Sequence, residues 1–442
     1  VHRADATARP AAPQKVRHRT IALETETGTV AVFPPPHRYF YPLDEAYNLG
    51  FTWWGGGFMD HVSGFGIGVR QDLQGDRRWV PWFNAPPGTE QELGIFWLAS
   101  RDRGDKLFDR VKAYTHGDRF PEVPGHKIFT SHYHIEHTTR LIKARDKSGK
   151  PGVPPALKKP DFVDVFKKAG IQIVHLAEFH NRLGRSRRDP VKALPLLKTL
   201  HEECARLSDE GFLLLPGEEP NVHLGGHWIS FFPRPVMWVL NRAKDKPFME
   251  DHPRFGRVYH VGSPEDVLKL MEREGGLMWA AHPRIKSSTG YPDLYRDKPF
   301  FKSDRYLGGA WKAMPADLSK PRLGWRVLDL LDDTSNWGAK KYIVGEVDIF
   351  QVDRTTEFYA HANVNYLRLD RIPRFEDGWA PVLKALRDGA FFISTGEVLM
   401  PHFTIGGKQS GETLKLDASG RAKLEVRLNW TFPMSFAEVI SG

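Results

Sequence analysis

From about residue 126 onward, short apolar runs alternate with amphipathic stretches, and no other feature limits the fold of this 442-residue chain as much. The runs 127–131, 171–177, 212–215, 277–281, 342–349 and 390–394 have the length and branched or aromatic content of buried strands. Between them, 162–168, 193–207, 264–274, 325–331 and 380–387 repeat apolar residues at helical spacing. Alternation of this kind predicts an α/β fold with a mainly parallel sheet, either open or closed into a barrel. No internal repeat is visible.

The flanks read differently. Residues 19–125 are rich in Gly, Pro and aromatics, with alternating runs at 20–24 and 29–33, which predicts a β-rich domain. A helix is expected near 106–114. The aromatic and glycine-rich run 51–58 is either a packed turn or part of a cleft rim. After about 400, the runs 403–407, 413–417 and 423–430 suggest a small antiparallel β unit. The expected division is a tail at 1–18, a β-rich domain at 19–125, an α/β domain at 126–400 and a β unit at 401–442. The polar start is a flexible tail or the remnant of a removed signal peptide, so both cytoplasmic and exported locations stay open. The end falls within a strand-like pattern and reads as part of a longer protein.

Bulk composition mostly excludes. No run of about 18 apolar residues occurs, so no membrane partner is expected. The net charge of +9 is spread along the chain in short clusters such as 182–188. It reads as a solvated basic surface, without nucleic acid as a partner, and leaves an anionic small-molecule substrate open. The single cysteine, Cys204, excludes an internal disulfide and a Cys-rich zinc site.

Chemistry-bearing residues gather at the strand exits, where α/β folds carry their ligands. His132 and His134 are two apart, hence on one face of an extended chain and able to share an ion. His137 follows as an outer or substrate-binding group. Glu178 and His180 share a face after the second run, where His175 reads as packed. Pro216-Gly217 breaks the third run and presents Glu218 and Glu219, and a carboxylate there can bridge two ions. Gly225-Gly226 precedes His227. His282 follows the fourth run, directly before Pro283. Glu346 and Asp348 share a face of the fifth, and Asp348 with His361 can complete a ligand set. Taken singly, each has a plain structural alternative as a surface, capping or packed residue. Four successive strand exits bearing His or Glu favour metal.

These motifs, in order, resemble the PHP (polymerase and histidinol phosphatase) family of metal-dependent hydrolases. The resemblance lies in His132-Tyr-His134, Glu178-Phe-His-Asn181, Pro216-Gly-Glu-Glu219 with Gly226-His227, and Ala281-His-Pro283. The segment 386–396 and the trailing β unit are similar to the carbaryl-hydrolase-like branch. Phe179 stands where the family carries Asp, and Asp348 and His361 stand in for its closing Asp-x-His. The resemblance implies a distorted (β/α)7 barrel over about 126–400, with two or three divalent ions (Zn, Mn or Fe). His132, His134, His180, Glu219, His227 and His282 would hold them, with a late Asp and His. It further implies a hydrolase that uses a metal-bound hydroxide on an ester, carbamate or amide. His137 or His223 would protonate the leaving group, and Arg284 or Arg140 would bind an anionic part of the substrate. A phosphoesterase and a non-catalytic binding protein with a degenerate metal site are the competing readings.

Overall fold

Several strands of the main sheet are buried on both faces, and this is why 213–215, 228–231 and 277–280 read as apolar runs. The structure is a computed structural model. It describes residues 2–5, 20–33, 50–54, 65–69, 96–178, 193–283, 292–311, 327–350, 352–354, 356–360 and 362–431, with positions 434, 437 and 439. Among the described residues, ten strands make up this sheet. They are β1 (His126–Tyr133), β2 (Ile173–Leu176), β3 (Leu213–Leu215), β4 (Gly217–Glu218) and β5 (Trp228–Phe231). The others are β6 (Leu277–Ala280), β7 (Tyr306–Trp311), β8 (Tyr342–Ile349), β9 (Val364–Arg368) and β10 (Phe391–Ser394).

Strands β3, β2, β1, β8, β7 and β6 pair in parallel in that order. Strand β5 pairs antiparallel with both β6 and β4. The path then curls back on itself. Pro216 separates β3, which pairs with β2, from β4, which pairs with β5. Glu178, just past β2, bridges to Glu218 of β4. The Glu178 N–H donates to the Gly217 carbonyl at 3.0 Å, and the Glu219 N–H to the Glu178 carbonyl at 3.2 Å. Gly217 permits this approach, because a Cβ there would lie 2.1 Å from His175 Nε2 and 2.3 Å from the Leu176 carbonyl. The result is a nearly closed, barrel-like sheet in a mixed α/β fold. Strand β1 forks along one edge, pairing with antiparallel β9 over residues 126–129 and with β8 at Ser131 and Tyr133.

Alternate side chains serve two cores. Phe129, Ile173, Leu213, Phe231, Leu277 and Trp279 pack on one side of the sheet, against Trp379, Val382 and Leu386 of helix Ala380–Arg387 and its entry. Ile128, Val174, Leu214 and Met278 face the other way, toward helices Asp161–Lys168, Ala193–Leu207 and Pro264–Glu274. Each fully buried large side chain contributes about 1.5–3 kcal/mol.

The expected strands and helices of 126–394 are present, with ends shifted by a few residues. Helix His137–Ser148 and strands β5, β7 and β9 go beyond that expectation. The helix buries only His137, Thr138 and Leu141, too little for a visible apolar face. Strand β7 carries Gly308-Gly309, weak strand formers.

Near the N-terminus, His2–Asp5, Ile21–Glu24, Thr29–Phe33 and Phe96–Ser100 form a four-stranded sheet. Helix Asp105–Ala113 packs Leu107, Phe108 and Val111 on its Ala22, Ala31 and Phe33. Gly50–Trp54 pairs with Phe65–Val69, so the start of the aromatic and glycine-rich run is strand, while 55–58 lie outside the described residues. At the other end, Val398–Ile405 pairs antiparallel with Leu424–Trp430. The expected strand at 413–417 is not formed: apart from Leu414, half-buried beside Gly406, its side chains are exposed and offer no face to bury. Among the described residues, no helix is long and apolar enough to cross a membrane.

Candidate metal centre

Among the described residues, three strand exits carry a non-glycine residue in left-handed backbone: His132 (φ 70°), His282 (φ 31°) and Asp348 (φ 42°). Such conformations cost on the order of 1–3 kcal/mol each and survive only where the surroundings hold them. Between β1 and β8 the register shifts after Glu346 and Ser131, and resumes at Ile349 and Tyr133. That irregularity redirects the side chains and lets His132, His134, Glu346 and Asp348 meet at one place. The His134 N–H donates to the Ile349 carbonyl at 2.8 Å and fixes the join.

The cluster is built on two carboxylates. Glu219 places Oε2 at 3.3 Å from His132 Nε2 and 3.6 Å from His134 Nε2. Its Oε1 lies 3.1 Å from His282 Nε2 and 2.7 Å from His227 Nδ1. Asp348 repeats the pattern. Its Oδ1 is 3.2 Å from His132 Nε2 and 3.7 Å from His134 Nε2, and its Oδ2 is 3.5 Å from His282 Nε2. One oxygen of each carboxylate therefore faces the His132–His134 pair and the other faces His282. Glu346 stands behind them, fully buried, with Oε2 at 2.8 Å from His132 Nδ1 and Oε1 accepting the His282 N–H at 2.9 Å.

The donor set fits divalent cations. His132, His134 and Asp348 can converge on one ion, as can His132, Glu219 and His282, and all are buried. Two ligands each about 2.1 Å from a shared ion at tetrahedral angles lie ~3.4 Å apart, which is the spacing found here. His132 Nε2, buried between two carboxylate oxygens, makes no hydrogen bond to either. Charge points the same way. Burial depresses the basicity of His132, but Asp348, Glu346 and Glu219 outweigh it and raise its pKa well above the usual histidine range. Burial also disfavours the Glu219 anion, yet His132, His227 and His282 pull its pKa below the carboxylate range. Three buried carboxylates around imidazoles are short of positive charge, and bound cations would supply it.

The structure brings His132, His134, Glu219, His227, His282 and Asp348 together. Glu178 sits next to Glu218, and its Oε1 accepts the Ile135 N–H. His137 opens helix His137–Ser148 and places Nε2 at 2.8 Å from Glu203 Oε2. Burial would raise the Glu203 pKa, but hydrogen bonds from His137 and Arg206 bring it down to about 2. His223 (φ 73°) is half-buried beside Val261 and the acidic start of helix Pro264–Glu274. Burial lowers its pKa despite Asp266. Arg140 lies one helical turn after His137 and is exposed. His180, Arg284 and His361 lie outside the described residues. His175 is packed against Phe231 and Trp279 with Nδ1 at 3.0 Å from Ser131 Oγ. Sequence spacing puts Glu346 on the Asp348 face but assigns it no role, and its contact with His132 spans 214 residues.

No family model matches this chain, and no curated protein matches it. Two solved structures overlap part of it. One is a two-domain protein from Bacteroides vulgatus containing a predicted PHP-like metal-dependent phosphoesterase. It is 14% identical, with a TM-score of 0.32 over 62% of this chain and 67% of that one. The other is PsfC from Pseudomonas syringae, 15% identical, with a TM-score of 0.30 over 55% of this chain and 82% of that one. Scores this low mark partial backbone overlap, and the metal centre stands on this chain's own side chains.

Proposed function

We propose that this chain is a metal-dependent hydrolase of the PHP type, with two divalent ions held between Glu219 and Asp348. The observation that carries the reading is the division of both carboxylates between two groups of imidazoles. His132 and His134 with one oxygen from each carboxylate would hold one ion. His282 and Glu219 would hold the second, with His132 in reach of both ions and His227 beside Glu219. His180 and His361 remain candidates to add to this set. Zn, Mn and Fe suit a mixture of imidazole and carboxylate. When bound, such ions lower the pKa of water toward neutrality and polarise a scissile bond.

The chain's own residues set the conditions for that chemistry. His132, His134 and His282 are at most 4% exposed, whereas His227 is 17% exposed. The His227 side is therefore the open one, where a small substrate would arrive. Burial of the rest keeps bulk water away and strengthens each electrostatic contact. His137 and His223 stay the candidates for proton donor, and Arg284 and Arg140 for an anionic part of the substrate. The substrate we favour is a small carboxylic ester, carbamate or amide.

The test is metal analysis of the purified protein, then a panel of p-nitrophenyl esters, carbamates and phosphates with Zn, Mn or Fe supplied. Turnover of the esters, lost in His132→Ala with the fold retained, supports the reading. Turnover of the phosphates alone replaces it with a phosphoesterase. Metal-free protein, or bound metal without turnover, counts against an enzyme.

A further inference from the structure

Glu346 touches two of the candidate ligands and joins neither group of converging donors. Its carboxylate is fully buried on β8. A carboxylate only accepts hydrogen bonds, so its approach at 2.8 Å requires the His132 proton on Nδ1. Nε2 is then the nitrogen left to exchange its proton for a cation, and Nε2 is the one beside Glu219 and Asp348. The second oxygen takes the backbone N–H of His282, whose φ of 31° is left-handed. One side chain thus fixes a tautomer on β1 and a backbone turn after β6.

We infer that Glu346 is the positioning residue of the metal centre, a single buried carboxylate that presets His132 and His282 together. The inference rests on the metal-binding reading above. Its consequence is that the two halves of the centre are assembled as a unit, because strain or displacement at either histidine is passed to the other through one carboxylate. An isosteric amide cannot replace it. With its oxygen on the His282 N–H, Glu346→Gln sets an NH2 against His132 Nδ1, which moves the proton to Nε2 and removes that donor. Turned over, it satisfies His132 but sets NH2 against the His282 N–H. No orientation serves both.

The experiment is a competition titration of metal-free wild type and Glu346→Gln with zinc against a chromophoric chelator. Circular dichroism serves as the check on folding. The expected result is affinity weaker by about 10- to 100-fold, the usual size of losing a partner behind a ligand. Equal affinity in a folded Glu346→Gln overturns the assignment while leaving the hydrolase reading intact. Wild type that binds no zinc, manganese or iron overturns both. Should the variant not fold, 15N-histidine spectra of zinc-loaded wild type decide. A protonated Nδ1 and a zinc-bound Nε2 on His132 support the inference, and the reverse tautomer overturns it.

Discussion

Glu219 and His282 meet across the nearly closed sheet, with Oε1 3.1 Å from Nε2, while the other oxygen of the same carboxylate lies 3.3 Å from His132. This one side chain, just past β4, joins the exits of β1 and β6. Glu219→Gln keeps the volume but leaves one oxygen where two are used. Metal content measured by mass spectrometry is expected to fall at both positions, and hydrolysis by more than ~100-fold, since the ions supply several kcal/mol of stabilisation. Retention of one full equivalent with unchanged turnover would show that Glu219 does not bridge.

Metal should also stabilise the fold. Glu219, Glu346 and Asp348 are each at most 4% exposed, and burying such charges without compensation is costly. A cation that binds only the folded state adds about 2.7 kcal/mol at 100 times its Kd. The melting temperature of chelator-treated protein is therefore expected to rise on adding zinc or manganese, and the rise should be absent in His132→Ala. A melting curve indifferent to metal would remove the centre's role in stability.

The strand–helix alternation was legible because β3 and β6 are apolar on both faces and β1, β2 and β8 carry apolar residues beside their polar ones, and buried strands advertise themselves that way. The strand-exit histidines were legible for a related reason, since chemistry collects at those ends. Which partner each would find was not. Two-residue spacing puts Glu346 and Asp348 on one face only while the backbone stays extended, and the left-handed residues His132, His282 and Asp348 break that rule at the centre. Closure through Glu178 and Glu218, and the antiparallel settings of β5 and β9, depend on pairings between distant segments that no local pattern encodes.

Asn365 fills the fork where β1 leaves β9 for β8. Its Oδ1 accepts the Gly345 N–H at 2.8 Å, and its Nδ2 donates to the Gly345 carbonyl at 2.8 Å and the Phe129 carbonyl at 3.3 Å. Asn365→Ala strands both backbone groups of the residue before Glu346, at full burial. Unsatisfied groups of this kind cost ~1–3 kcal/mol each, so a loss of about 2–4 kcal/mol is expected in urea unfolding. Zinc affinity should weaken with it. A loss under about 1 kcal/mol would mean that water takes over the role.

His175 gives the pH dependence a definite sign. Burial is the main cause that holds its pKa at about 3. A hydrogen bond with the Ser230 backbone opposes this, and the charge of His132 adds to it. The folded value lies below the unfolded value of about 6.5, so the unfolded chain binds the extra proton between those limits. The stability contributed by neutral His175 is complete above pH 6.5 and is lost as pH falls toward 3. Asp118 acts oppositely. Burial, then Glu357, raises its pKa to about 7, so its contribution is present below about 3.8 and lost as pH rises through 7. Asp118 is common to wild type and His175→Asn and cancels between them. Urea unfolding of the two at pH 6.5 and 4.5 is therefore the measurement. Wild type is expected to lose about 2 kcal/mol more than the variant over that interval. Parallel loss in both proteins would show that His175 takes up its proton in the folded state.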